Sequence, residues 1–215
     1  MSRVRLLSRR TRWAIVLALT AVSFVAAQRA SATPLGIPST PVARADLETL
    51  VVVPEGSMDG YSRDLFPHWI TVTGTCNTRE TVLRRDGSGV TVDASCRPTS
   101  GSWFSEYDAL TLTSSSGVQI DHVVPLAEAW RSGASLWTTS KRQRFANDLA
   151  DPELIAVSGV SNQSKSDQDP STWKPRAAYA CTYAKLWIGS KYAWGLRLQS
   201  TEKSSLQGML NSCAP

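Results

Sequence analysis

The residues of this chain best equipped for chemistry are Asp121 and His122, in the run Asp121-His122-Val123-Val124-Pro125. An imidazole of ordinary pKa near ~6.5 can take up a proton at neutral pH, and a neighbouring carboxylate can hold a hard divalent cation. Farther along, Asn162-Gln163-Ser164-Lys165-Ser166-Asp167 offers an amide oxygen and a cation, and Asn147 lies between, in Phe145-Ala146-Asn147-Asp148-Leu149. Aspartate-histidine, then asparagine, then asparagine-x-x-lysine is the order expected for hydrolysis of a phosphodiester around one metal ion. His122 is the side chain suited to general base, because the second histidine, His68, sits among aromatics with no acid or amide beside it. Such a histidine is expected to be structural.

The elements that must position these groups follow from the apolar pattern. Val118 to Val124 reads as a strand ending at the Asp-His pair, and Leu154 to Val157 as a strand able to return beside it. A short helix starting near Asn162, capped by Ser161, would then carry Asn162 and Lys165. Leu126 to Trp130 and Lys141 to Leu149 read as helices between the strands, with Gly133 ending the first. Upstream, Val90 to Val92, Ser102 to Phe104 and Ala109 to Leu112 are short β-prone runs separated by turn residues. Tyr61 to Ile70 is apolar at helical spacing despite Pro67. Pro175 to Ala193 predicts a long helix, and Thr201 to Cys213 a last one.

The amino-terminus reads as a secretory signal peptide over residues 1–32. Arg3, Arg5, Arg9, Arg10 and Arg12 precede an uncharged run from Trp13 to Ala27, and Ala30-Ser31-Ala32 offers a cleavage site. Residues 33–45, rich in Pro, Ser and Thr, read as a flexible linker, and residues 46–215 as a single domain. Removing the leader changes the charge argument. The whole chain has 23 Lys and Arg against 18 Asp and Glu, but six arginines and no acid lie in residues 1–32, so residues 33–215 carry 17 against 18, a net charge of −1. Bulk basicity is therefore no argument for a nucleic-acid partner. Local clusters remain: Arg79, Arg84 and Arg85; Lys141, Arg142 and Arg144; and six basic residues from Lys174 to Lys203 with Glu202 as the one acid. Arg79 with Glu80 is open to two readings, a phosphate contact with its partner or a surface ion pair.

Four cysteines, Cys76, Cys96, Cys181 and Cys213, contain no C-x-x-C pair, and in an exported chain they point to two disulfides. Of three connectivities, Cys76–Cys96 with Cys181–Cys213 closes the two short loops.

The chain resembles the HNH (ββα-metal) endonuclease superfamily, and more narrowly exported proteins with an HNH domain of the GmrSD C-terminal class. The resemblance is carried by Tyr61 to Phe66 with His68-Trp69, by Cys76 to Glu80 with Val82-Leu83, and by Gly101 to Asp108. It continues through Asp121 to Trp130, Phe145 to Leu149, Asn162 to Asp167 and Trp173-Lys174-Pro175. It implies an α+β fold with a ββα core at about 117–170, extra helices and a small N-terminal β element. It also implies one divalent metal, Mg²⁺ or alternatively Mn²⁺, held by Asp121 and Asn162. In that scheme His122 is the base, Asn147 holds the His122 loop or ring, and Lys165 steadies phosphate charge. Arg79, Lys165 and Lys174 become the contacts to nucleic acid, with DNA favoured over RNA, for a secreted enzyme with no stable membrane association. Two alternatives come from other classes. One is an exported carbohydrate-active or cell-wall hydrolase using Glu106 and Asp108 as paired carboxylates. The other is a non-catalytic, disulfide-stabilised binding module.

Overall fold

The computed structural model describes residues 34–214 together with Met1, so the signal-peptide reading of residues 1–32 lies outside the described residues. Helix α1 (Thr40–Thr49) comes first. Strands β1 (Thr71–Thr73) and β2 (Cys76–Asn77) pair and lead into helix α2 (Thr78–Asp86). Asn77 and Glu80 close a reciprocal cap on α2, each side chain taking the backbone N–H of the other. Strands β3 (Gly87–Val92), β4 (Pro98–Phe104) and β5 (Thr111–Leu112) form an antiparallel sheet in that order. After β6 (Val118–His122) come helices α3 (Leu126–Arg131) and α4 (Thr139–Ala146), strand β7 (Leu154–Ser158) and helix α5 (Gly159–Lys165). Helices α6 (Ala180–Trp194) and α7 (Ser200–Leu210) complete an α+β fold.

The β6–β7–α5 unit is what positions the candidate site. Strand β7 pairs antiparallel with β6, Val118 opposite Ser158 and His122 opposite Leu154. Alternate side chains point to opposite faces. Val118 and Ile120 of β6, with Leu154 and Ala156 of β7, join Val82, Leu83 and Trp103 in a small core beneath α2. Ile155 and Val157 face the other way, into the large core shared by α1, α3, α6 and α7. Strand β7 is buried along its whole length, which explains its unbroken apolar run. The hairpin is thus clamped between two cores, and the polar ends of β6 are held on a rigid base.

Several sequence expectations are corrected. The flexible linker expected over 33–45 is, from Thr40 onward, part of α1. Ser39 caps it, and Ala43 and Leu47 are fully buried against the helical core. The helix expected over 61–70 shrinks to a single 3₁₀ turn, Arg63–Leu65, because Pro67 keeps Phe66 out of helical geometry. Helix α5 is capped by Ser158 rather than Ser161. The Ser158 hydroxyl accepts from the Ser161 N–H, so strand runs straight into helix and Asn162 sits in its middle. The long helix begins at Ala180, after a 3₁₀ turn at Ala177–Tyr179. Both disulfides join the expected partners, Cys76 to Cys96 and Cys181 to Cys213. Each can contribute on the order of 3 kcal/mol by restricting the unfolded chain. Among the described residues, no helix is long and apolar enough to cross a membrane.

Glu153, just before β7, is fully buried. One carboxyl oxygen accepts from Ser190 Oγ and the Val124 N–H, and the other has no hydrogen-bond partner among the described residues. Burial pushes its pKa well above the usual carboxylate range. The folded state therefore keeps a proton that the unfolded chain releases near pH ~4.5. Above that pH the folded form binds more protons than the unfolded one, so stability falls as pH rises toward the folded pKa. Glu153→Gln removes this titration. The stability of the variant relative to the parent is expected to improve with rising pH above ~4.5, by at most about 1.4 kcal/mol per pH unit. Parallel melting curves across pH check this, and a constant difference would refute it.

Candidate active site

A cleft of about 270 Å³ opens over the ends of β6 and α5, and Asp121, His122 and Asn162 all line it. Sequence order alone does not bring these three together. The antiparallel return of β7 lays the start of α5 beside β6, which carries Asn162 to the flank of Gln119. The amide nitrogen of Asn162 donates to Gln119 Oε1 at 2.8 Å, and its Oδ1 takes no hydrogen bond from the described residues.

Asp121 is nearly buried. Its Oδ1 accepts from Lys165 Nζ at 2.8 Å and its Oδ2 from the Tyr107 hydroxyl at 2.7 Å. Burial raises the carboxyl pKa, while the Lys165 charge and both hydrogen bonds pull against that rise. A carboxylate has about four acceptor positions, so two bonds leave it able to meet a cation in the cleft. Lys165 itself is fully buried, and its ammonium also donates to the His122 carbonyl at 2.9 Å. Lys165, expected to steady phosphate charge, is therefore placed behind Asp121 and not at the surface of the cleft. Its charge is spent inside the protein, tying α5 to the end of β6.

The His122 ring is fixed on two sides. Its Nε2 lies 3.0 Å from the Ala146 carbonyl. A carbonyl can only accept, so Nε2 carries the hydrogen and Nδ1 keeps the lone pair. The Trp69 indole stacks on the ring at 5.6 Å and 30°, and His68 meets it edge-on at 6.5 Å. Burial pulls the imidazole pKa down to about 3, and the charges of Arg63, His68 and Lys165 push the same way against the Ala146 hydrogen bond. The free protein therefore holds a neutral imidazole at physiological pH.

Asn147 does not line the cleft. At the end of α4 its Oδ1 accepts from the Ile70 N–H and Thr78 Oγ1, and its Nδ2 donates to the carbonyls of Pro67 and Gln143. It thus clamps both ends of His68-Trp69, where Trp69 takes a left-handed backbone conformation (φ 59°). Asn147 reaches the His122 ring through Trp69 and through its own neighbour, the Ala146 carbonyl.

The other basic positions singled out in the sequence lie elsewhere. The Arg79 guanidinium donates to the carbonyls of Ser115 and Val118, while Glu80 caps α2, so the two neither pair nor face the cleft. Lys174 is exposed beside Ser200 and Thr201, outside the cleft. The paired-carboxylate alternative also loses its groups, since Glu106 bonds Arg176 at 2.7 Å and Asp108 accepts from Ser158 Oγ. Sequence reasoning missed Tyr107, Gln119, Trp69 and Arg63. His68, read as an isolated structural residue, stands beside His122. The signal for Arg63, His68, Trp69 and Tyr107 is their place in the family-like segments 61–69 and 101–108, and for Gln119 it is only its place on the strand before Asp121.

The sequence pattern described as GmrSD restriction endonucleases, C-terminal domain, matches residues 96–208, more than half of the chain. The chain belongs to this family. The matched span of the GmrSD C-terminal-type chain includes Tyr107, Asp121, His122, Asn147, Asn162 and Lys165, and begins after Arg63, His68 and Trp69. A protein of Arthroderma benhamiae, described as an uncharacterized secreted protein, is 58% identical over 196 residues, covering 91% of this chain and 96% of the relative. No solved structure matches. With its two disulfides and this relative, the GmrSD C-terminal-type chain is a secreted protein.

Proposed function

We propose that the chain is an exported metal-dependent endonuclease that hydrolyses phosphodiester bonds in nucleic acid, with DNA favoured and little sequence specificity. The observation that carries this reading is the meeting of Asp121, His122 and Asn162 on the wall of one cleft. Among the described residues no three His, Cys, Asp or Glu side chains come together as a metal cage. One carboxylate and one amide oxygen nevertheless suit a hard ion that keeps much of its water, as Mg²⁺ or Mn²⁺ does. Asp121 and Asn162 would hold that ion, which supplies positive charge to the phosphoryl group and the departing 3′-oxygen.

The remaining work falls to the chain. His122 Nδ1 accepts the proton of the attacking water. Its low pKa in the free protein makes the lone pair available, and a bound phosphodiester anion beside the ring favours the imidazolium that forms. Ala146 O and Trp69 hold the ring in one orientation, with Nε2 engaged and the Nδ1 lone pair left for the proton. Tyr107 and Lys165 fix the Asp121 carboxylate in one orientation. No base-reading module is apparent, which supports low specificity.

Plasmid DNA tests the proposal. The purified secreted form is expected to nick or degrade it with Mg²⁺ or Mn²⁺, to stop when EDTA is added, and to resume when excess metal is restored. Plasmid left intact under every divalent metal would overturn the reading.

A further inference from the structure

The charged side chains on the wall of the cleft are Arg63, Asp121 and Asp167. Asp121 is compensated from within by Lys165. Asp167 is compensated by Arg131, whose Nη1 lies 2.8 Å from its carboxylate and whose Nη2 donates to its carbonyl. Arg63 alone has neither an ion pair nor a side-chain hydrogen bond among the described residues. The uncompensated charge on the wall is thus a single guanidinium, facing the cleft that holds His122 and Asn162.

That guanidinium rises from a fixed base. Ser62 caps the turn Arg63–Leu65, and the Leu65 carbonyl accepts from Arg142 Nε at 2.9 Å. On either side, the Tyr61 ring packs edge-on against Trp130 at 5.9 Å, and Phe66 is fully buried. The backbone is anchored in the core while the head is left to solvent. A planar fork of donors presented in this way matches the two non-bridging oxygens of a phosphodiester.

We infer that Arg63, and not Lys165, is the cation that receives the phosphate of the substrate in this cleft. The inference rests on the nuclease reading and adds to it a substrate-binding residue outside the matched family span.

The test uses a short fluorescein-labelled DNA duplex, titrated with the secreted form in EDTA so that binding is read without cleavage, at several salt concentrations. Arg63→Ala is expected to weaken binding on the order of tenfold, as loss of a charged hydrogen bond implies. It should also reduce the slope of log K against log salt by about 1. Arg63→Lys should keep the slope and recover part of the affinity. Arg97→Ala, an exposed arginine that lines no part of the cleft, should behave as the parent. With metal present, Arg63→Ala should raise KM more than it lowers kcat. Parent-like affinity and slope for Arg63→Ala, in a protein that cleaves DNA, would overturn the Arg63 inference and leave the nuclease reading standing. A parent protein that neither binds nor cleaves DNA would overturn both.

Discussion

Replacing His122 with alanine is expected to lower DNA cleavage about 10²–10⁴-fold, the usual contribution of a placed general base. The fold should survive. The change removes a ring lying between Trp69 and the Ala146 carbonyl and leaves that carbonyl without its partner, a cost of about 1–3 kcal/mol. The disulfides and the two cores on either side of β6 and β7 are untouched. Circular dichroism and a melting curve establish folding, and a single-turnover assay measures the loss. Free imidazole can enter the vacated space, so partial rescue with increasing imidazole is expected from a base and not from a purely structural ring. A folded variant cleaving within tenfold of the parent would remove His122 from the mechanism.

Lys165→Met should have the largest effect on stability. Both partners of the Lys165–Asp121 pair are withdrawn from water, and removing one half of a buried pair typically costs about 3–5 kcal/mol, because the other charge is left uncompensated. Adding Asp121→Asn to Lys165→Met should return part of that loss, since no charge then remains to be neutralised. Urea unfolding midpoints of the two single variants and the double variant close the cycle. The outcome separates two roles for this lysine. A solvent-facing phosphate contact would cost less than about 1 kcal/mol and would depress activity alone. Near-parent stability for Lys165→Met would contradict the buried pairing.

The β6–β7–α5 unit is legible in the sequence because its signals are local. The Val118–Val124 and Leu154–Val157 runs, the Asp-His pair and the spacing of Asn162 and Lys165 all lie within single elements, and the four cysteines allowed one pairing with short loops. The sequence could not show what depends on contacts between distant segments. Lys165 looked like a free cation because nothing in its neighbourhood reveals that Asp121, 44 residues away, lies 2.8 Å from its ammonium. Tyr107 was one aromatic among many until β6 brought Asp121 to its hydroxyl. The stacking of Trp69 on His122 requires a left-handed backbone that Asn147 enforces across 77 residues, and no periodicity encodes that. Arg79 and Lys174 carry the right charge and lie outside the cleft, because which cation reaches it depends on position, and position belongs to the fold.

Helix α1 has a practical consequence for anyone preparing this protein in pieces. Ala43 and Leu47 are fully buried against the helical core, and Arg44 donates to the Leu210 carbonyl at the far end of the chain. A recombinant fragment begun at residue 46, where the texture of the sequence changes, would lose Ala43 and Arg44 and leave a greasy furrow open to solvent. Trimming should therefore stop before Ser39, and preparations clipped beyond it are expected to clump on storage.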